Sequence, residues 1–207
     1  MVLRGCPFFY GDIMNRYNDA INICLTTIGL TRLGSGESVT GNYEAEIADS
    51  LLDEALQEVL SHGYNFNTDE DYPLNPDSFG VIEIPATALS VDLSGVTENY
   101  VVREGKLYNK DTQKNNDFTD AVDVDITWKM DFDDMHFIAQ NYVVALAKQR
   151  LYSRVVGTDN FVNVLMQETQ NAKTALLHEE MQSGDYSIFD ATDVSRIITR
   201  NQNPTAR

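Results

Sequence analysis

Residues 122–147 read VDVDITWKMDFDDMHFIAQNYVVALA, and the spacing of their apolar side chains changes part-way along. Val122, Val124, Ile126 and Trp128 alternate with Asp123, Asp125 and Thr127, the period of a strand with one buried face. Beyond Asp131 the period becomes helical, and a helix is predicted from 133 to 156. Between Val143 and Ala147 it is apolar on all sides, so it should be the most buried helix of the chain. Asp131, Asp133 and Asp134 lie at the end where negative charge complements the helix dipole, with Lys148, Arg150 and Arg154 toward the other. A sheet therefore gives way directly to a helical core.

Upstream, Ile13, Tyr17, Ala20, Ile21, Cys24, Leu25 and Ile28 form one apolar stripe, predicting a helix over 12–28 with Asp12 as its cap and Gly29 past its end. A glycine-rich loop, 29–41, leads to a second helix over 42–62. Its inner face is Ala48, Leu51, Leu52, Ala55, Leu56, Val59 and Leu60, with Asn42 as N-cap and Gly63 closing it. The middle of the chain carries short β-favourable runs at 81–84, 88–93, 100–103, 106–108 and 122–128. Glu104-Gly105 forms a two-residue hairpin turn between the third and fourth of these. Downstream, Phe161, Val162, Leu165, Thr169, Ala172 and Leu176 predict a fourth helix over 159–182. The predicted class is α+β: a four-helix bundle-like domain (1–63 and 131–183) with an inserted small antiparallel sheet or sandwich (64–130) and an extended C-terminal arm (184–207).

The chain has 207 residues, 43% apolar and 23% charged, enough to build a core. Against 15 Lys and Arg stand 32 Asp and Glu, a net charge of −17. Such a surface does not grip phosphates or anionic lipid over its whole extent. Segment by segment the net is −6 over 1–60, −8 over 61–130 and −3 over 131–207, and from Val194 onward there are three arginines and no acid. No run of 18 apolar residues exists to span a membrane, and the first twelve residues do not make a signal peptide. Cys6 and Cys24 do not make a disulfide framework; Cys24 falls on an apolar helix position as a small core residue. The chain thus reads as soluble and made in a reducing compartment.

Little in the sequence points to chemistry. His62, His136 and His178 stand far apart, and His178-Glu179-Glu180-Met181-Gln182 lacks the second histidine of a zinc motif. Asp69-Glu70-Asp71 and Asp131-Phe132-Asp133-Asp134 lack the glycine and terminal glutamate of an EF-hand loop. Gly34 to Gly41 precedes a helix but has no Lys-Ser/Thr for a nucleotide's terminal phosphates. There is no nucleophile elbow. No cofactor or metal site is expected, and an interaction protein is favoured over an enzyme. Carboxylate pairs for glycan hydrolysis are too many to be informative, so a glycan-degrading enzyme is kept as an alternative, beside an unrelated soluble interaction module.

From Asn18 to Asp190 the chain resembles the tail tubular protein A family of short-tailed phages. The resemblance rests on strings in a fixed order: Ile28-Gly29; Leu60-Ser61-His62-Gly63-Tyr64-Asn65-Phe66-Asn67; Pro76-Asp77; Ala88-Leu89-Ser90; Tyr100-Val101-Val102-Arg103; Leu107-Tyr108-Asn109; Asp131-Phe132-Asp133-Asp134-Met135; Arg154-Val155-Val156-Gly157; and the helix from Glu168 to Glu180. His136 departs from it, standing where members often have proline, and the first ten residues lie outside it.

The resemblance implies a structural head-to-tail adaptor in the neck of the virion, made in the host cytoplasm, with no catalysis. It implies a ring of twelve copies between the portal protein and the tail nozzle, tail tubular protein B. Genomic double-stranded DNA passes through that ring without sequence-specific binding, and tail fibre protein docks near the rim. An acidic channel wall suits that role, because DNA slides past a surface that repels it. Candidate channel or subunit-interface residues are Asp49, Asp53, Glu54 and Glu58 on the second helix. The candidate portal-binding arm contains Arg196, Ile197, Ile198 and Arg200.

Overall fold

A computed structural model describes residues 16–34, 37–93 and 99–183. Among these, the elements in chain order are α1 (Arg16–Thr27), α2 (Tyr43–Leu60), β1 (Thr68–Leu74), β2 (Ala88–Asp92), β3 (Tyr100–Arg103), β4 (Lys106–Asn109), β5 (Val122–Trp128), a 3-10 turn (Phe132–Asp134), α3 (Phe137–Val155) and α4 (Asn160–Ser183). The α+β class read from the sequence holds. Asp12 and Ile13, proposed at the start of α1, lie outside the described residues.

The helices form where the apolar stripes place them. Asn42 caps α2 from extended backbone, its side chain accepting from the Ala45 N–H at 3.2 Å, a contact worth about 1 kcal/mol. Ala48, Leu51, Leu52, Ala55, Leu56, Val59 and Leu60 are all buried, as their spacing required. They pack with Ile21, Cys24 and Leu25 of α1 and with Val143, Ala147 and Leu151 of α3 in one helical core. The apolar run in α3 is buried at Val143, Ala145, Leu146 and Ala147 and half-buried at Val144. Helix α3 packs on α2 and on α4, and α1 touches both α2 and α3.

One boundary differs from the sequence reading. Helix α3 starts at Phe137, not at 133; Asp133 and Asp134 lie in the preceding 3-10 turn, so the first turn of α3 has no acid. The buried Gln140 holds the turn in place, donating through Nε2 to the Phe132 carbonyl at 2.7 Å. His136, at the N-cap position, makes no side-chain cap bond.

The strands form a three-stranded antiparallel sheet in the order β1-β5-β2, and a β3-β4 hairpin. Strand β5 keeps its alternation, burying Val122, Val124 and Ile126. The hairpin turns at Glu104-Gly105 with φ of +52° and +71°, the left-handed pair of a type I′ turn, and pairs Arg103 with Lys106 and Tyr100 with Asn109. Leu107 of β4 joins Leu74, Ile82, Phe118, Val122, Val124 and Ile126 in a second core.

Two strand expectations fail. Residues 81–84 make only an isolated bridge, Glu83 to Lys106, instead of a strand. Strand β1 was not expected at all, because Asp69-Glu70-Asp71 and Pro73 do not resemble one. It is an edge strand, where proline is tolerated. Its register shifts between Asp69 and Tyr72, and Asp71 sits at φ +53°. Only Leu74 is fully buried.

The two cores meet at Asn67. Its Nδ2 donates to the Leu60 carbonyl at 2.9 Å and the Trp128 carbonyl at 3.0 Å, and its Oδ1 accepts from the Tyr64 N–H at 2.8 Å. The Trp128 N–H donates to the Asn67 carbonyl at 2.7 Å. Gly63, at φ +67°, lets the chain leave α2 close to β5, since a Cβ there would stand 3.1 Å from Thr127 Oγ1.

Candidate subunit and channel surfaces

The four candidate acids of α2 occupy two flanks of the helix. Asp49 and Asp53, four residues apart, share the flank toward α1, where the Tyr17 hydroxyl donates to Asp49 Oδ1 at 2.8 Å. Burial and that bond raise the Tyr17 pKa well above the ordinary tyrosine value. Asp53 is exposed and accepts from Gln57 Nε2 at 2.8 Å. Glu54 and Glu58 share the other flank. Glu58 forms an ion pair with Arg150 of α3, while Glu54 is exposed. Asp49 and Glu58 thus bind α2 to its own chain; Asp53 is exposed at the edge of a cleft that it lines with Tyr17, Lys129 and Asp133, and Glu54 is exposed on the other flank. These roles depend on Tyr17 and Arg150, which are remote in sequence, so no local signal marked them.

Arg196, Ile197, Ile198 and Arg200 lie outside the described residues, as does Cys6. Cys24 is buried among the helices, which pushes its thiol pKa up to about 12; such a thiol is inert. His62 Nδ1 lies 2.9 Å from the Glu58 carbonyl, and its ring stacks parallel to Tyr64. Among the described residues no group of three or more His, Cys, Asp or Glu stands where it could hold a metal ion.

Beside α1 runs a groove of about 850 Å³ lined by Ile23, Phe137 and Val144 with Arg16, Asp19 and Asp133. It has no convergent set of acid, base and nucleophile, and its mixed lining suits packing against another surface.

Helix α4 buries little. Of its predicted stripe, Leu165 and Leu176 are buried, Val162, Thr169 and Ala172 are half-buried, and Phe161 is exposed. The Lys148–Glu168 ion pair and the Thr169 hydroxyl, which donates to the Ala145 carbonyl at 3.2 Å, fasten α4 to α3. On its outer side Met166, Leu177 and Met181 are 51%, 45% and 73% exposed. Their helical spacing was legible in the sequence, but no described helix of the chain covers them.

Comparisons with known proteins place the whole described fold in one family. The tail tubular protein family matches residues 18–186, from α1 through α4. The chain belongs to the tail tubular protein family. It is 30% identical over 179 residues to tail tubular protein A of Klebsiella phage KP34, a span of 86% of this chain and 94% of that protein. As a tail tubular protein it is a structural component of the phage tail and of the virion. Among the described residues no helix is long and apolar enough to cross a membrane.

Proposed function

We propose that this tail tubular protein is the head-to-tail adaptor of a short-tailed phage. Copies form a ring, twelve in number, between the portal and the nozzle formed by tail tubular protein B. Genomic DNA passes through the ring, and tail fibres attach near its rim. The observation that carries this reading is the family match across residues 18–186, which spans both helical halves and the inserted sheet. The net charge of −17 supports it, because a polyanion passing an acidic wall is not held.

Within this reading the helical parts, 1–63 and 131–183, form the ring body and residues 64–130 an inserted β module. Asp53 and Glu54 are exposed on α2 and belong to the channel wall or subunit contact, while Asp49 and Glu58 brace that helix. Arg196, Ile197, Ile198 and Arg200 form the arm that reaches the portal, where a basic segment can order on a partner surface. The protein is made in the host cytoplasm and acts in the virion neck without a catalytic step.

Electron microscopy of purified virions, and of the protein mixed with its portal, tests the reading. A twelve-fold ring at the neck is the expected image. A protein that stays monomeric and ignores portal would overturn it.

A further inference from the structure

We propose that residues 1–10, MVLRGCPFFY, fold back along α1 and seat in the groove between α1 and the start of α3, with Phe8 and Phe9 as the anchors. The contact lies within one chain and does not depend on the ring.

The groove is open, with an apolar floor and an acidic rim. Ile23 of α1 and Phe137 of α3 stand in it 40% and 64% exposed. Around them Asp19, Asp133 and Asp134 are set against Arg16. Asp133 accepts from the Tyr17 N–H at 3.1 Å, and among the described residues neither Asp19 nor Asp134 has an ion-pair partner. The occupant that fits is aromatic and carries no acid.

Attachment, composition and charge select it. Residues 1–15 precede Arg16, and Arg16 itself lines the groove, so this segment enters at the groove's own mouth. The α1 wall from Arg16 to Ile23 is about 10 Å long. Phe8 and Phe9 stand eight and seven residues before Arg16, a reach of up to about 25 Å that covers the wall after a reversal. Gly11 supplies the backbone freedom for that reversal. Phe8-Phe9-Tyr10 is the one place in the chain where three aromatic residues follow one another, and such side chains bury about 150–250 Å² each. Residues 1–11 contain Arg4 and no acid. The segment beyond α4 fits worse: it leaves from Ser183, which does not line the groove, and it begins with Asp185, Asp190 and Asp193. Those carboxylates would meet like charges on the rim. A second copy, at −17, would do the same.

Cys6 stands two residues before Phe8 and reports the contact in the full chain, while Cys24 is buried and inert. Asn141→Cys puts a thiol on an exposed part of the groove wall, and Ser90→Cys puts one on β2. Under mild oxidation, Asn141→Cys should join Cys6 within one chain in at least about tenfold the yield of Ser90→Cys, read by non-reducing gel and peptide mass. Adding Phe8→Ser and Phe9→Ser should cut that yield at least about tenfold and leave the helical circular dichroism unchanged. Equal yields from Asn141→Cys and Ser90→Cys would overturn the proposal, as would a yield that the two serines leave unaltered. Disulfides that join two copies would overturn it in favour of a groove filled from a neighbour.

Discussion

Asn67 is 2% exposed and satisfies five backbone groups, two through its amide nitrogen, one through its side-chain oxygen and two through its own backbone N–H and carbonyl. Replacing it by leucine leaves the Leu60 and Trp128 carbonyls and the Tyr64 N–H without their side-chain partner. Buried groups left unpaired cost about 1–3 kcal/mol each, and partial relaxation leaves about 3 kcal/mol in all. Asn67→Leu should lower the urea midpoint accordingly with little change in slope; an unchanged midpoint would show that the joint does not couple the two cores. The residue was visible in the sequence only as the last letter of the Leu60–Asn67 string. Its work depends on Trp128, and no local pattern reports a partner 61 positions away.

At the scale of an element, the α3–α4 corner makes two predictions. Ala145 is buried in α3, and its carbonyl accepts from Thr169 of α4. Ala145→Asp places an unpaired carboxylate there and should prevent folding, as burial of an unpaired charge does. Soluble, normally assembled variant protein would show the α3–α4 contact to be dispensable. At the corner itself the Tyr152 hydroxyl donates to Asp159 Oδ2 at 2.9 Å, and the Phe161 N–H donates to Oδ1 at 2.9 Å.

The tyrosine bond first, and then the backbone N–H groups, hold the Asp159 carboxyl below its ordinary value. A depressed folded-state pKa stabilises above the unfolded value of about 3.9 and is lost as pH falls through the folded value. Acid below about pH 4 should therefore fray the start of α4. Tyr152→Phe should move the Asp159 titration upward by carboxyl NMR, and an unmoved titration would remove the tyrosine as the cause.

The elements themselves were unevenly legible. Helix α2, strand β5 and the Glu104-Gly105 turn could be read from period and turn chemistry, because each is decided by neighbours within a few residues. Strand β1 could not. Glu70 and Asp71 are exposed at an edge, Asp69 accepts from the Trp128 indole N–H at 2.8 Å, and β1 is a strand only because β5 supplies the ladder.

At the scale of the whole molecule, charge dominates. A net of −17 on one chain opposes compaction by self-repulsion, and salt screens it over about 10 Å at 0.1 M. Raising sodium chloride from about 0.01 M to about 0.3 M should raise the thermal midpoint by about 3 °C, if screening recovers about 1 kcal/mol in a chain of this size. A midpoint that falls with salt would mean that pairs such as Glu58–Arg150 and Lys148–Glu168 outweigh the repulsion.

The candidate acids show what each level of description contributes. Their place on the exposed side of an amphipathic helix followed from α2's sequence, since the apolar stripe assigns the remaining positions to the surface. Their division into two braces and two exposed carboxylates did not. It required Tyr17 and Arg150 to be brought alongside, from 32 and 92 residues away. The sequence alone determined the α+β class, the stripes, the hairpin and the charge, because these depend on period, turn chemistry and composition. Only the tertiary structure decided which acids are satisfied and that Asn67 joins two cores. Those outcomes depend on distances between groups far apart along the chain, which packing brings together.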